Sequence, residues 1–414
     1  MIKTILMFLV FSAALAAQAK YDLLLKGGHV IDPKNKINGP MDVAVKDGKI
    51  ARVARDIPAS EAAKVVPAGG LTVAPGLIDI HVHVYQRPDN KLMARDSNVQ
   101  ADAHTFRSGV TTVVDAGTAG WRDLAEFRRR AVEKSRTRIL ALLNIAGAGM
   151  GLDKEDDLAG LDVDAAVRAV NANRDIVVGF KSAHFGGPGW ESIDAAVKAG
   201  KAVDMPVMVD FGYMNNIRNI RTLLEDKLRP GDIYTHCYSG HREELLANGK
   251  VNPAMFNGRK RGIFFDVGFG AGSFYWYVAV PALQQGFAPD SISTDLHTGS
   301  MNAGMKSMNN AMSSILNLGA PLGDVIAMST WNPAKQIKRP ELGNLDAGAE
   351  ADIAVLRVEK GQYGFVDSAG AAHTGDQRIV TELTLRNGRV VWDLNGRASQ
   401  NWQHFPYDRK KWTK

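Results

Sequence analysis

A single cysteine, Cys237, stands among 414 residues, so no intrachain disulfide framework supports the chain. Long basic runs are also missing. The densest, RRRAVEKSRTR at 128–138, is interrupted by Ala131 and Glu133 and reads as a solvated helix end. A formal charge of +6 therefore does not point to nucleic acid. No low-complexity tract occurs, and 45% apolar with 23% charged residues is ordinary for a globular protein. Past the first twenty residues, no apolar run is long enough to cross a bilayer. The phosphate-binding G-x-G-x-x-G turn is absent too: GAGMG at 147–151 is glycine-rich but lacks that spacing. This argues against a doubly wound nucleotide fold.

The first residues, MIKTILMFLVFSAALAAQAK, have a basic start at Lys3, an apolar run over 5–16 and small residues at Ala17-Gln18-Ala19. That is the layout of a secretory signal peptide over 1–19, with cleavage expected after Ala19. An uncleaved anchor is the competing reading, disfavoured by the shortness of the apolar run. No cysteine near the cleavage site offers a lipid anchor. The mature protein is expected to be soluble, and periplasmic or secreted.

What the chain does have is an alternation. Short apolar runs occur at 76–84, 110–117, 138–147, 175–183, 206–212, 232–238, 262–270 and 291–296, with helix-like stretches such as VDAAVRAVNANR (163–174) between them. Eight strands over about 220 residues is the count and size of a (β/α)8 barrel, a TIM barrel of the α/β class. Flanking segments at 21–70 and 340–395 read instead as short strands between Gly, Pro and Asn turns. In such a barrel the reactive groups stand at the C-terminal ends of the strands.

Those ends are polar. GLIDIHVHV (76–84) carries His81 and His83 one residue apart, on the strand face shared with Leu77 and Asp79. Two buried imidazoles without partners are costly, and a bound metal is the simplest partner. Lys181 follows the apolar IVVGF, Asp210 ends PVMVD, His236 ends DIYTH and Asp295 ends ISTD. Beside a cation, Asp295 can be ionised, bind metal and accept a proton. Lys181 read alone is a snorkelling strand-end lysine. Beside metals, its neutral amine can take up carbon dioxide to give N6-carboxylysine, an anionic bridge. His184, His241 and His297 fall in the following loops, as outer or surface residues. HFGGPGW (184–190), GFGAGSFYWY (268–277) and HTGSMN (297–302) are expected to rim the pocket. His184, Tyr238, Phe269, Tyr275 and His297 are its candidate substrate contacts.

Together GLIDIHVHV, VVGFKSA (177–183), YTHCYSG (234–240), STDLHT (293–298), TWNPAK (330–335) and LDAGAEADIAVL (345–356) resemble the amidohydrolase superfamily, in its dihydroorotase-like amidohydrolase/deacetylase branch. The resemblance runs from about Tyr21 to Asn395. It implies a barrel over 76–338 and a small β-sandwich composed of 20–75 and 339–414. It also implies two divalent metal ions, expected to be zinc. His81, His83 and Asp295 would hold one ion, His236 the other, and carboxylated Lys181 would bridge them. The family usually places another histidine where Asp210 stands. Three readings follow: Asp210 substitutes as a ligand; the second site is weak or prefers another metal, with His184 helping; or the enzyme is impaired. The implied activity is deacylation of a small N-acyl or O-acyl acid by a metal-bridged hydroxide, with Asp295 as general base and acid. A cyclic-amide hydrolase, a deaminase on the same scaffold and a catalytically silent homologue are the alternatives. A small-molecule substrate and a homo-oligomer are expected.

Overall fold

The computed structural model describes residues 19–408 except 88–96, 152–154, 211, 213 and 216. The leader reading of 1–19 therefore lies, Ala19 apart, outside the described residues. Fifteen strands form two sheets. The first takes β1 (Leu23–Asp32), β2 (Ile37–Lys46), β3 (Lys49–Ala54), β4 (Val65–Pro67) and β5 (Thr72–Pro75) from one chain end. The second holds β6 (Leu77–Val82), β7 (Val110–Gly120), β8 (Arg138–Asn144), β9 (Val177–Ser182), β10 (Val207–Val209), β11 (Ile233–Tyr234) and β12 (Phe264–Phe265). From the other chain end, β13 (Ile353–Val366), β14 (Ala372–Arg386) and β15 (Arg389–Asp393) return to the first sheet. Its hydrogen-bonded order is β15-β14-β13-β5-β1-β2-β3, with β4 also pairing β1. One apolar core, including Leu25, Val30, Val43, Val73, Ile353, Val355 and Leu383, draws on strands from both ends. The sheet thus curls around a single core, as a sandwich does.

The second sheet runs β6 to β12 in sequence order, all parallel. Residues 291–296 close it, with parallel bridges from Ser291 to Asp266 and from Leu296 to Val82. That segment is the eighth stave of the barrel. Ile78, Ile80, Val114, Ala116, Leu140, Leu142, Val178, Met208 and Ile233 come from six successive strands yet form one cluster. Only the barrel interior lets them meet without a helix between. Ala334, Ile337 and Leu342 complete this cluster. Helix residues such as Phe127, Ala166, Ile193 and Ala196 build the outer core.

One expectation about β6 is corrected here. Simple alternation sets His81 and His83 on the face opposite Ile78 and Ile80. The pairing with β7 slips instead, because Asp79 opposes Val113 while Val82 opposes Asp115. Three residues on β6 therefore advance against two on β7, and this bulge switches the face on which side chains emerge. Ile78 and Ile80 fill the interior below the bulge, and the imidazoles enter it above. Among the described residues, no helix is long and apolar enough to cross a membrane.

The two sheets are tied at Asp352, just before β13. Its carboxylate accepts from Arg138 Nη1 at 2.8 Å, Arg386 Nη1 at 3.1 Å and the Asn387 amide at 2.8 Å. Asp352→Ala removes one of the two carboxylates that Arg138 and Arg386 share, leaving Glu350 on both, so urea unfolding should show a loss of about 1–2 kcal/mol. A loss below about 0.5 kcal/mol would mean these bonds contribute nothing net to the junction.

Candidate metal centre

His81, His83 and Asp295 meet at the C-terminal mouth of the barrel. All three are buried, and their donor atoms lie within 4.8 Å of one another. Among the described residues no other group of three such donors is that tight. His83 Nε2 is 3.1 Å from Asp295 Oδ1, and His81 Nε2 is 3.6 Å from the same oxygen. The outer nitrogens decide what these contacts are. His81 Nδ1 lies 2.9 Å from Thr235 Oγ1, and that hydroxyl donates its own proton to Asp266 Oδ2 at 2.7 Å. His83 Nδ1 lies 2.9 Å from Thr118 Oγ1, whose hydroxyl serves Asp115. The Thr235 oxygen can therefore only accept from His81, whose Nδ1 must be the protonated nitrogen, and Thr118 stands in the same place against His83. The two Nε2 atoms converge on one carboxylate oxygen, with Lys181 Nζ beside that of His81. Two imidazole nitrogens and a carboxylate so placed in a buried site suit a divalent cation, so the donor set fits a metal.

Burial lowers the His81 pKa well below its ordinary value, which keeps the ring neutral. Lys181 is fully buried, with Nζ 3.1 Å from His81 Nε2. Burial lowers its pKa against the pull of Asp210 and Asp295, which favours the free amine. His236 donates from Nδ1 to the Gly268 carbonyl at 2.6 Å, and its ring centroid is 4.9 Å from that of His81.

Asp210 is placed differently from the first three. Its Oδ1 accepts from Arg242 Nη2 at 2.6 Å, while Oδ2 is 3.2 Å from His184 Nε2 and 3.3 Å from His236 Nε2. His184 Nδ1 in turn lies 3.2 Å from Glu155 Oε2. Burial opposes a charge on His184, but Asp210 and Glu155 outweigh it and push the pKa up to about 10.

Of the expected pocket residues, His297 reaches the centre, with Nε2 3.7 Å from Asp295 Oδ2, and also caps the helix Thr298–Asn302. Tyr238 does not reach it: fully buried, it donates its hydroxyl to the Phe287 carbonyl. Phe269 is also fully buried, stacked on Phe274 at 4.2 Å. Tyr275 packs against His241 and Tyr277. Arg242, Glu155, Thr118, Thr235 and Asp266 were not singled out in the sequence. Threonines and single charges carry no motif, and only the barrel closure brings them under the histidines.

A (β/α)8 barrel with two imidazoles and a carboxylate converging at its mouth defines a metal-dependent hydrolase. Residues 277–391 match the amidohydrolase family. A deacetylase of Agrobacterium fabrum is 32% identical over 336 residues, covering 78% of this chain and 80% of that protein. Among solved structures, an adenine deaminase superposes with a TM-score of 0.81 at 28% identity, over 90% of this chain and 100% of that one. A dihydroorotase does so with a TM-score of 0.77 at 28% identity, over 90% and 99%. The chain belongs to the amidohydrolase family.

The threonine contacts yield a test. Thr118→Val keeps the shape but leaves His83 Nδ1 without its acceptor. Competition with a chelator should show metal affinity falling about 10–100-fold. Unchanged affinity would mean the ring is oriented by something else.

Proposed function

We propose that this protein removes the acyl group from a small N-acyl or O-acyl acid by metal-assisted hydrolysis. The observation that carries this reading is the convergence of His81 Nε2 and His83 Nε2 on Asp295 Oδ1, in a chain whose relative of similar length is a deacetylase. A zinc ion suits a set of two imidazoles and a carboxylate. When bound, it would polarise the acyl carbonyl and acidify water at neutral pH.

The chain's own residues do the rest. His81 and His83 would hold the cation, with Thr235 and Thr118 against their outer nitrogens. Asp295 has two differently placed oxygens: Oδ1 faces the histidines, and Oδ2 faces His297 and the Cα of Gly270. A Cβ at Gly270 would stand 2.7 Å from Oδ2, so glycine there leaves that oxygen room. Asp295 takes the proton of the attacking water and returns it to the leaving nitrogen or oxygen. Lys181, buried beside His81 where burial lowers its pKa, is the group we assign to carbamate formation. Its amine would add carbon dioxide and release a proton, giving an anion that a bound cation would stabilise. The leader-like N-terminus supports action outside the cytoplasm.

The likeness to an adenine deaminase and a dihydroorotase favours a second reading, in which the same centre opens a cyclic amide or deaminates a purine. One substrate panel separates the two: N-acetyl and O-acetyl acids, dihydroorotate and adenine. Turnover is expected on an acetylated acid and not on the ring substrates. In Asp295→Asn, kcat should fall about 10²–10⁴-fold with the circular dichroism spectrum unchanged. Near-normal turnover in that variant would remove Asp295 from the mechanism.

A further inference from the structure

Asp210 stands at the end of β10, on the barrel's inner rim, where the family resemblance leads one to expect a ligand for a second metal ion. What surrounds it is a guanidinium on one side and two imidazoles on the other. Oδ1 is held 2.6 Å from a guanidinium, Arg242, which is itself buried. Oδ2 lies between two imidazoles, 3.2 Å from His184 Nε2 and 3.3 Å from His236 Nε2. His184 is in turn flanked by a second buried carboxylate, Glu155, 3.2 Å from its Nδ1.

An imidazole set between two carboxylates satisfies both only when both nitrogens carry protons. His184 is therefore an imidazolium. Asp210 thus has a guanidinium against one oxygen and a charged imidazole against the other, with no ion added. The spacing agrees. His81, His83 and Asp295 bring their donor atoms within 4.8 Å of one another, and among the described residues no group containing Asp210, His184 and His236 does so. Asp210 Oδ2 occupies the space between the two rings that a shared ion would need.

We propose that Arg242, His184 and Asp210 form an internal charge clamp in place of a second metal ion, so that each chain binds one divalent cation, at His81, His83 and Asp295. The proposal rests on the metal-dependent reading above and narrows it. Asp210 is then a positioning residue, holding His236 Nε2 on one side and His184 on the other. Arg242 acts in the same way, through Asp210.

The test is a count. The full chain is equilibrated with excess zinc at neutral pH, desalted and measured by elemental analysis. One zinc per chain is expected in the wild type, one in Asp210→Asn and one in Arg242→Gln, and none in His83→Ala. Two per chain in the wild type would overturn the clamp while leaving the metal-dependent reading intact. A fall to one in Asp210→Asn would then identify Asp210 as a ligand. No zinc in the wild type would overturn both readings, so the two failures are distinguishable. The wild-type count decides even where a variant fails to fold. As a second readout, nitrogen-15 spectra at neutral pH should show His184 doubly protonated in the wild type and neutral in Asp210→Asn. A neutral His184 in the wild type would also overturn the clamp.

Discussion

Two histidine Nε2 nitrogens and one carboxylate oxygen aimed at the same buried point are the constraint on which the rest of this structure depends. Left to itself the arrangement is unfavourable, since burial removes the water that would solvate these groups. It persists because the surrounding fold fixes each group from behind. Thr235 and Thr118 stand against the outer nitrogens of His81 and His83, and Asp266 commits the Thr235 proton. Asp266 also accepts from Ser291 and Ser293 on the closing segment, so the same carboxylate links ligand orientation to barrel closure. The hydrogen bonds that seal the barrel are therefore the ones that set the His81 tautomer.

Backbone geometry serves the same end. His184, His236 and Asp295 have φ values of 47°, 61° and 52°, in the left-handed region that non-glycine residues seldom occupy. His184 and His236 stand two residues past β9 and β11, and Asp295 lies near the end of the closing segment. A residue that leaves a strand with positive φ turns its side chain sharply back, here toward the barrel axis. Such conformations cost about 1–3 kcal/mol each and persist where the surroundings over-determine them. At His236 the Gly268 carbonyl contributes to that fixing, and at Asp295 the neighbouring histidines do so.

Much of the fold and half of the site were legible beforehand, for identifiable reasons. Buried parallel strands are continuous apolar runs, so their number and spacing marked a barrel, and polar residues ending such runs marked its mouth. His81, His83 and Asp295 were found that way. Tyr238 and Phe269 were read as pocket residues because their loops follow strand ends. Both side chains turn into the core instead, a matter of direction that a loop sequence does not encode. Arg242 escaped notice because an arginine in a polar loop is unremarkable until Asp210 is seen beneath it.

The amino-acid sequence by itself determined the alternation that makes the barrel, the return of the chain end to the first sheet's pattern, and the identity of every group that can bind a cation. Tertiary structure alone decided which of those groups share a point. The bulge in β6 turned the histidines inward against simple alternation. Closure of the barrel set Thr118, Thr235 and Asp266 behind them, and gave Asp210 to Arg242 and His184. The physical reason is range. Periodicity and turn chemistry act over a few residues, whereas the charge felt by Asp210 depends on Glu155, His184, His236 and Arg242, brought together only when the strands that carry them close into a ring.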